Sequence, residues 1–122
     1  MSEQNTEASD SATPAAPVVR RVDARHRYEI LVDEQRAGLT AYRDRDDQRV
    51  FFHTEIDDAY AGRGLAAVLV EQALTDVRAA GKRIVPVCPY VAKYLTKHQE
   101  FRDITDPVTP EVLTWLDAQL GR

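Results

Sequence analysis

Hydrophobic and polar residues alternate in three short segments of the first half of the chain. These segments are residues 28–32, 38–43 and 49–56. A period of two is typical of strands that bury one face. The connecting segments, residues 33–36 and 44–48, are polar and charged, as expected of turns. The pattern therefore predicts three antiparallel strands joined as a meander.

The second half of the chain changes to the period of an amphipathic helix. The apolar residues at this spacing are Leu65, Val68, Leu69, Ala73, Val77 and Ala80. Gly81 stands where a left-handed residue would end the helix, and residues 83–87 form a short apolar run. A strand, a helix and a second strand in this order predict a parallel pair with a right-handed crossover. The sheet is therefore expected to be mixed.

Two further helices are predicted toward the C-terminus, and each begins at a proline. Pro89 fits the first position of a helix over residues 90–98. Thr109 and Pro110 fit the start of a last helix that runs to Leu120. Taken with the strands, these elements predict an α+β fold in which helices pack on a mixed, mostly antiparallel sheet.

Length, charge and cysteine content narrow the class of protein. The 122 residues suffice for one core, and residues 1–19, which lack aromatic side chains, are expected to be a disordered tail before a single domain over residues 20–122. The net charge of −4 and the absence of a basic stripe argue against a nucleic-acid partner. With Cys88 as the only cysteine and no apolar leader or bilayer-length segment, we expect a cytoplasmic protein with no membrane partner.

Gly62 and Gly64 lie between the third predicted strand and the first long helix. Backbone N–H groups at such a glycine-rich helix start form a nest that suits a pyrophosphate. Neither the nucleotide-triphosphate loop nor the dinucleotide fingerprint is complete here. The pattern therefore points to another phosphorylated cofactor, and a tight turn without a ligand is the alternative.

The residues around these glycines resemble the acetyl-CoA-binding segment of the GNAT superfamily of N-acetyltransferases. That segment has Arg or Gln, two variable residues, Gly, one variable residue, and Gly or Ala. The six places are filled by Ala61, Gly62, Arg63, Gly64, Leu65 and Ala66. Only Ala61 departs from the pattern, which removes a side-chain contact but leaves the backbone amides. The stretches His53-Thr54-Glu55 and Cys88-Pro89-Tyr90-Val91 extend the resemblance to a small single-domain branch of the superfamily.

The resemblance implies a GNAT-like fold and a cytoplasmic domain that transfers acetyl from acetyl-CoA to an amine. It also implies that residues 62–66 bind the cofactor and that the backbone near Ile56 polarises the thioester carbonyl. Larger members have helices between their first two strands, whereas residues 33–36 offer only a turn. The acceptor side should therefore be open, and a small molecule or a protein could supply the amine.

His53 and Glu55 are the candidates for removing the acceptor's proton. Strand alternation predicts that Phe51, His53 and Glu55 share one face of the sheet, opposite Phe52, Thr54 and Ile56. Histidine is the side chain best suited to accept a proton near neutral pH, with Glu55 orienting it or receiving the proton. The alternative is a pair of exposed strand residues with no role.

Cys88 and Tyr94 complete the candidate catalytic set. Cys88 is predicted to lie at the end of the second parallel strand, where it could form an acetyl-cysteine with His53 as base, line the pocket, or be a small buried residue. By resemblance, Tyr94 is the acid that protonates the departing thiolate, and packing is the alternative. No histidine spacing suggests a metal site.

Two other classes of function remain beside the enzyme. One is a module that binds CoA or acyl-CoA without turnover. The other is an interaction domain, for which an exposed Trp115 would be the anchor. We expect a monomer.

Overall fold

The computed structural model describes residues 16–122, which form one five-stranded sheet, three α-helices and short 3-10 turns. The strands are β1 (Val18–Val22), β2 (Arg27–Val32), β3 (Gln35–Arg45), β4 (Gln48–Ile56) and β5 (Arg83–Pro86). The helices are α1 (Leu65–Ala79), α2 (Pro89–Lys97) and α3 (Pro110–Gln119). The strands lie in sequence order, and only β4 and β5 are parallel. The predicted α+β fold with a mixed sheet is confirmed.

β1 is a strand that the sequence pattern did not predict. Val18 and Val19 belong to it, so the disordered tail expected over residues 1–19 was extended two residues too far, while residues 1–15 lie outside the described part of the chain. β1 pairs antiparallel with β2, Val19 packs against the core, and Arg20 forms an ion pair with Glu29 at 3.0 Å. These contacts join β1 to a neighbouring strand and to the core, and the composition of the segment alone does not show them.

A bulge in β4 changes which residues share a face. Tyr42 of β3 pairs with Phe51, and the adjacent Ala41 pairs with His53, so Phe52 is an extra residue in β4. An extra residue inverts the alternation beyond it. The predicted face of Phe51, His53 and Glu55 is therefore wrong: Thr54, not His53, shares the face of Phe51.

The helices cover the two faces unequally. α1 and α2 pack on the face that carries Tyr28 and Phe51, which we call the helical face. On the opposite face, α3 covers only one end, through Val112 and Leu116. Between β1 and β2 the chain forms only a 3-10 turn, Asp23–Arg25, and no α-helix that could cover the sheet. Among residues 16–122, the part of this second face beyond α3 therefore has no helical cover, and we call it the open face.

Candidate active site

The sheet opens between β4 and β5. Their pairing ends at Phe51 and Pro86, after which Cys88 N donates to Phe51 O at 2.8 Å and α2 turns away. β4 nevertheless continues to Ile56. Within the described chain, residues 52–56 therefore have no strand partner on the β5 side. A strand edge of this kind can hydrogen bond to an extended ligand that contains amides.

The open edge leads to the predicted amide nest. Gly62 and Gly64 have φ values of +79° and +72°, and a Cβ atom at either would meet no other atom within 4 Å. Conformation, rather than lack of space, therefore favours glycine at both positions. Gly64 caps α1 without any side-chain hydrogen bond, and the first turn has no acidic residue. The first amides of α1 are thus free to bind an anion.

The other predicted cofactor residues surround this nest. Leu65 is buried and anchors the first turn of α1 in the core, and Ala66 follows it half-buried. The Arg63 guanidinium lies 5.3 Å from the centre of the Tyr60 ring, on the exposed side of the loop. Ile56 ends β4 and packs on the helical face. The structure therefore brings the predicted binding segment together at one end of the strand edge.

His53 and Glu55 form a contact on the open face. His53 Nε2 lies 2.8 Å from Glu55 Oε1, and the two side chains are 54% and 50% exposed. The predicted proximity of the two groups is confirmed. Because solvent and an acceptor can reach both, the arrangement can accept a proton from an amine that approaches from this face.

Cys88 lies on the helical face of β4. It is buried, and its Sγ is 3.3 Å from Thr54 Oγ1, which in turn is 2.9 Å from Thr40 Oγ1. His53 points to the open face, so the Cys–His arrangement considered from the sequence is not formed. The bulge at Phe52 is the reason, because it places Thr54 rather than His53 beside Cys88. Thr40 and Thr54 were not identified as site residues from the sequence.

Tyr94 lies in a cavity between α1 and α2. Burial, assisted by the nearby carboxylates of Glu71 and Glu100, raises the pKa of Tyr94 to about 12. The ring stacks on His98 with centroids 3.9 Å apart. The cavity has a volume of about 340 Å³ and is lined by Ala67, Tyr90, Lys93, Tyr94, Lys97 and His98. Lys93 and Lys97 were not among the predicted site residues, since helical spacing alone does not show what faces them.

The described residues contain neither a metal-binding cluster nor a membrane-spanning helix, but they form a further cavity. Residues 16–122 contain no cluster of three His, Cys, Asp or Glu side chains that could hold a metal ion. No helix in this part of the chain is both long enough and apolar enough to span a membrane. A cavity larger than the one at Tyr94, of about 700 Å³, lies near β1 and the turn after β2. It is lined by Ala16, Val18, Arg20, Leu31, Asp33 and Glu34, none of which belongs to the nest.

Comparison with known proteins identifies the family. The family described as GCN5-related N-acetyl-transferase matches residues 27–104, well over half of the chain. The chain belongs to this family. The match covers β2 to the end of the 3-10 turn after α2, and therefore includes the strand edge, the nest and α2.

A solved structure supports the fold of this GCN5-related chain. It is the NMR solution structure of a GCN5-like protein from Staphylococcus aureus, which superposes with a TM-score of 0.57. The alignment covers 76% of this chain and 91% of that protein, at 17% sequence identity. The likeness therefore concerns the fold. No curated protein is significantly similar in sequence.

Proposed function

We propose that the protein is an N-acetyltransferase that moves an acetyl group from acetyl-CoA to an amine. The observation that carries this proposal is the continuity between the unpaired β4 edge and the amide nest at Gly62 and Gly64. An extended pantetheine arm contains amides that fit a strand edge, and its pyrophosphate fits a helix start. Membership of the family supports the same reading.

Each residue around the opening between β4 and β5 can be assigned a separate step of the reaction. Acetyl-CoA supplies an activated acetyl thioester. The acceptor nitrogen attacks the carbonyl carbon, the C–S bond breaks, and the acetyl group ends on the nitrogen. His53 takes the amine's proton, with Glu55 at 2.8 Å orienting the ring or receiving that proton. The backbone near Ile56 polarises the carbonyl oxygen.

The departing thiolate needs a proton from a second group. Tyr94 is the candidate on α2, and its pKa of about 12 keeps the phenol protonated at neutral pH. A protonated phenol can donate a hydrogen bond to the thiolate and transfer the proton as the C–S bond breaks. Cys88 contacts Thr54 at 3.3 Å and not His53, which supports a place for it in the wall of the pocket over an acetyl-cysteine step.

The acceptor side suits a primary amine on a large or loosely held substrate. His53 and Glu55 are half exposed on a face that the helices of the described chain leave uncovered. An enclosed metabolite site would bury most of its ligand. A lysine or N-terminus of a protein therefore fits better than a small molecule that needs a closed pocket.

Native mass spectrometry with acetyl-CoA, repeated after denaturation, tests this proposal. We expect a noncovalent acetyl-CoA complex, no lasting acetyl on the protein, and release of free CoA thiol when amine acceptors are added. A complex that releases no thiol with peptides, polyamines or surface lysines would instead support a CoA-binding module without turnover. Absence of any complex would overturn the cofactor assignment and the function built on it.

A further inference from the structure

The open face of the sheet is basic, although the chain as a whole carries a net charge of −4. Cross-strand partners in an antiparallel sheet point to the same side, so the register shows which face each paired residue occupies. Strands β1 to β4 thus place two carboxylates on the open face, Glu29 and Glu55, and five arginines, Arg20, Arg27, Arg36, Arg43 and Arg45. Because Arg20 and Arg27 share Glu29, the face retains a positive charge.

Arg43 is the arginine of this face that stands closest to a binding group without a partner. It pairs with Val50, which packs against α3 on the open face. Its Nε is enclosed by the protein, yet this N–H has no hydrogen-bond partner among residues 16–122. Arg27, by comparison, contacts Glu29 at 2.7 Å. The Arg43 side chain as a whole is only half-buried, so a carboxylate of a ligand can reach the guanidinium and form the charge-assisted hydrogen bonds that the fold does not supply.

Arg43 and His53 lie around a short side chain, Ala41. His53 pairs with Ala41 on one side, and Arg27 pairs with it on the other. Arg43 follows Ala41 by two residues, or about 7 Å along β3. Glu55 lies beyond His53 in β4, on the side away from Arg43. Since Ala41 stays partly exposed, the longer side chains surround a shallow depression that has a carboxylate at one end and a guanidinium at the other.

We propose that the acceptor is an acidic polypeptide segment, and that Arg43 binds a carboxylate two residues from the amine that is acetylated. The inference rests on the proposed function, because it takes the amine to be at His53. In an extended segment, residues two apart lie on the same side at a spacing of about 7 Å, which matches the step along β3 from Ala41 to Arg43. An aspartate or glutamate at this position therefore reaches Arg43 when the amine reaches His53.

Charge, rather than enclosure, selects the acceptor at this open site. Glu55 attracts the ammonium form of the amine, and Arg43 attracts the neighbouring carboxylate, so the two ends of the depression complement the two charges of the segment. A basic segment would instead bring a like charge to Arg43. Arg43 therefore determines specificity by binding the acceptor, and takes no part in the proton transfers.

Initial rates of acetyl transfer to matched peptides test the proposal. Each peptide carries a free N-terminus and one lysine, with glutamate two residues from both amines in one peptide and glutamine at the same places in the other. Mass spectrometry of the products shows which amine is acetylated. We expect kcat/KM to be about tenfold higher for the glutamate peptide, mainly through a lower KM, and the ratio to fall as the ionic strength rises.

Two substitutions of Arg43 separate charge recognition from damage to the fold. Arg43→Gln should bring the ratio close to one, because the glutamate peptide loses its advantage. Arg43→Glu should reverse the preference, so that a peptide with arginine at the two positions becomes the better acceptor. Misfolding cannot produce this gain. A preference for glutamate that persists in both variants would overturn the role of Arg43.

Arg102→Gln is the matched control, because Arg102 is an exposed arginine in the turn after α2, where it lines a cavity with Ala92 and Leu95. It should leave the ratio unchanged. Equal kcat/KM for the glutamate and glutamine peptides in the wild-type protein, or transfer to small polyamines and to neither peptide, would overturn the acidic acceptor while leaving the proposed function intact. Failure to release CoA thiol with any amine would overturn both.

Discussion

His53 and Cys88 lie on opposite faces of β4, although both flank the same opening in the sheet. The extra residue Phe52 separates them by inverting the strand alternation. Cys88 contacts Thr54 on the helical face, and His53 contacts Glu55 on the open face. The two candidate reactive groups therefore belong to separate arrangements, one beside the buried pocket and one beside the acceptor, and each can be tested without the other.

Replacement of Cys88 by alanine should leave most of the turnover intact. Among residues 16–122, the Cys88 thiol contacts no basic side chain, and its partner is the Thr54 hydroxyl at 3.3 Å. Loss of a small buried side chain should lower the free energy of unfolding by about 1 kcal/mol. Initial rates test the expected turnover, and urea unfolding tests the expected change in the free energy of unfolding. Thr54→Val removes the same contact while keeping the thiol. A loss of more than about 100-fold in C88A alone, with acetyl found on Cys88 in the wild-type protein, would establish the covalent route.

Substitution of His53 or Glu55 should slow acetyl transfer without affecting cofactor binding. A positioned general base contributes about 10²-fold to 10⁴-fold to a rate, so His53→Gln should lower kcat/KM by that amount. Glu55→Gln should have a smaller effect if it only orients the ring. The Kd for acetyl-CoA should change by less than about twofold, because neither side chain faces the nest. His26→Asn, at the exposed turn between β1 and β2, serves as the control. Unchanged rates in both the His53 and the Glu55 variants would reduce the pair to exposed strand residues.

Three glycine-to-alanine variants distinguish a loss of cofactor binding at the amide nest from the backbone strain that alanine causes at a positive φ. Gly62, Gly64 and Gly81 have φ values of +79°, +72° and +70°, and a Cβ atom at any of the three would meet no other atom within 4 Å. Each Gly→Ala change should therefore lower the free energy of unfolding by a similar amount, about 1–2 kcal/mol. Only G62A and G64A should also weaken binding of acetyl-CoA, since Gly81 follows the C-terminal end of α1 and the nest lies at its N-terminal end. If G81A weakened binding equally, strain rather than the nest would explain the effect.

The helices were predictable because their signals are local. Gly64 and Gly81 bracket α1, and Pro110 begins α3 after Thr109, whose side chain accepts a hydrogen bond from Val112 N at 3.2 Å. Each of these signals depends on residues within one or two turns. The observed boundaries differ from the predicted ones by a residue or so.

The missed features depend on how separate elements of the chain pair and pack. β1 forms because Arg20 and Val19 find partners on β2 and in the core, which composition cannot reveal. The bulge at Phe52 depends on the register between β3 and β4, and a shift of one residue exchanges the faces. The nest and the His53–Glu55 contact were predictable, whereas the partner of Cys88 and the lysines beside Tyr94 required the three-dimensional arrangement.

Because of Glu29, the free energy of unfolding should fall at acid pH. The side chain is 5% exposed and accepts hydrogen bonds from Arg20 and Arg27. Burial alone would raise the pKa of Glu29, but the two arginines outweigh it and hold the pKa below its ordinary value of 4.5. A lowered pKa in the folded state stabilises the protein above pH 4.5, and this contribution is lost as the pH falls through the folded-state value.

Glu29→Gln should therefore lower the free energy of unfolding by about 1–3 kcal/mol at pH 7, because the two arginines lose a charged partner. The difference from the wild-type protein should narrow as the pH falls below 4.5, because the carboxylate of the unfolded wild-type chain is protonated there before that of the folded protein. Urea unfolding at pH 7 and at pH 3.5 measures both values. Glu34→Gln, at an exposed turn, is the matched control and should change stability by less than about 0.5 kcal/mol. A Glu29→Gln effect of the same size at both pH values would show that the side chain contributes through packing, not through its charge.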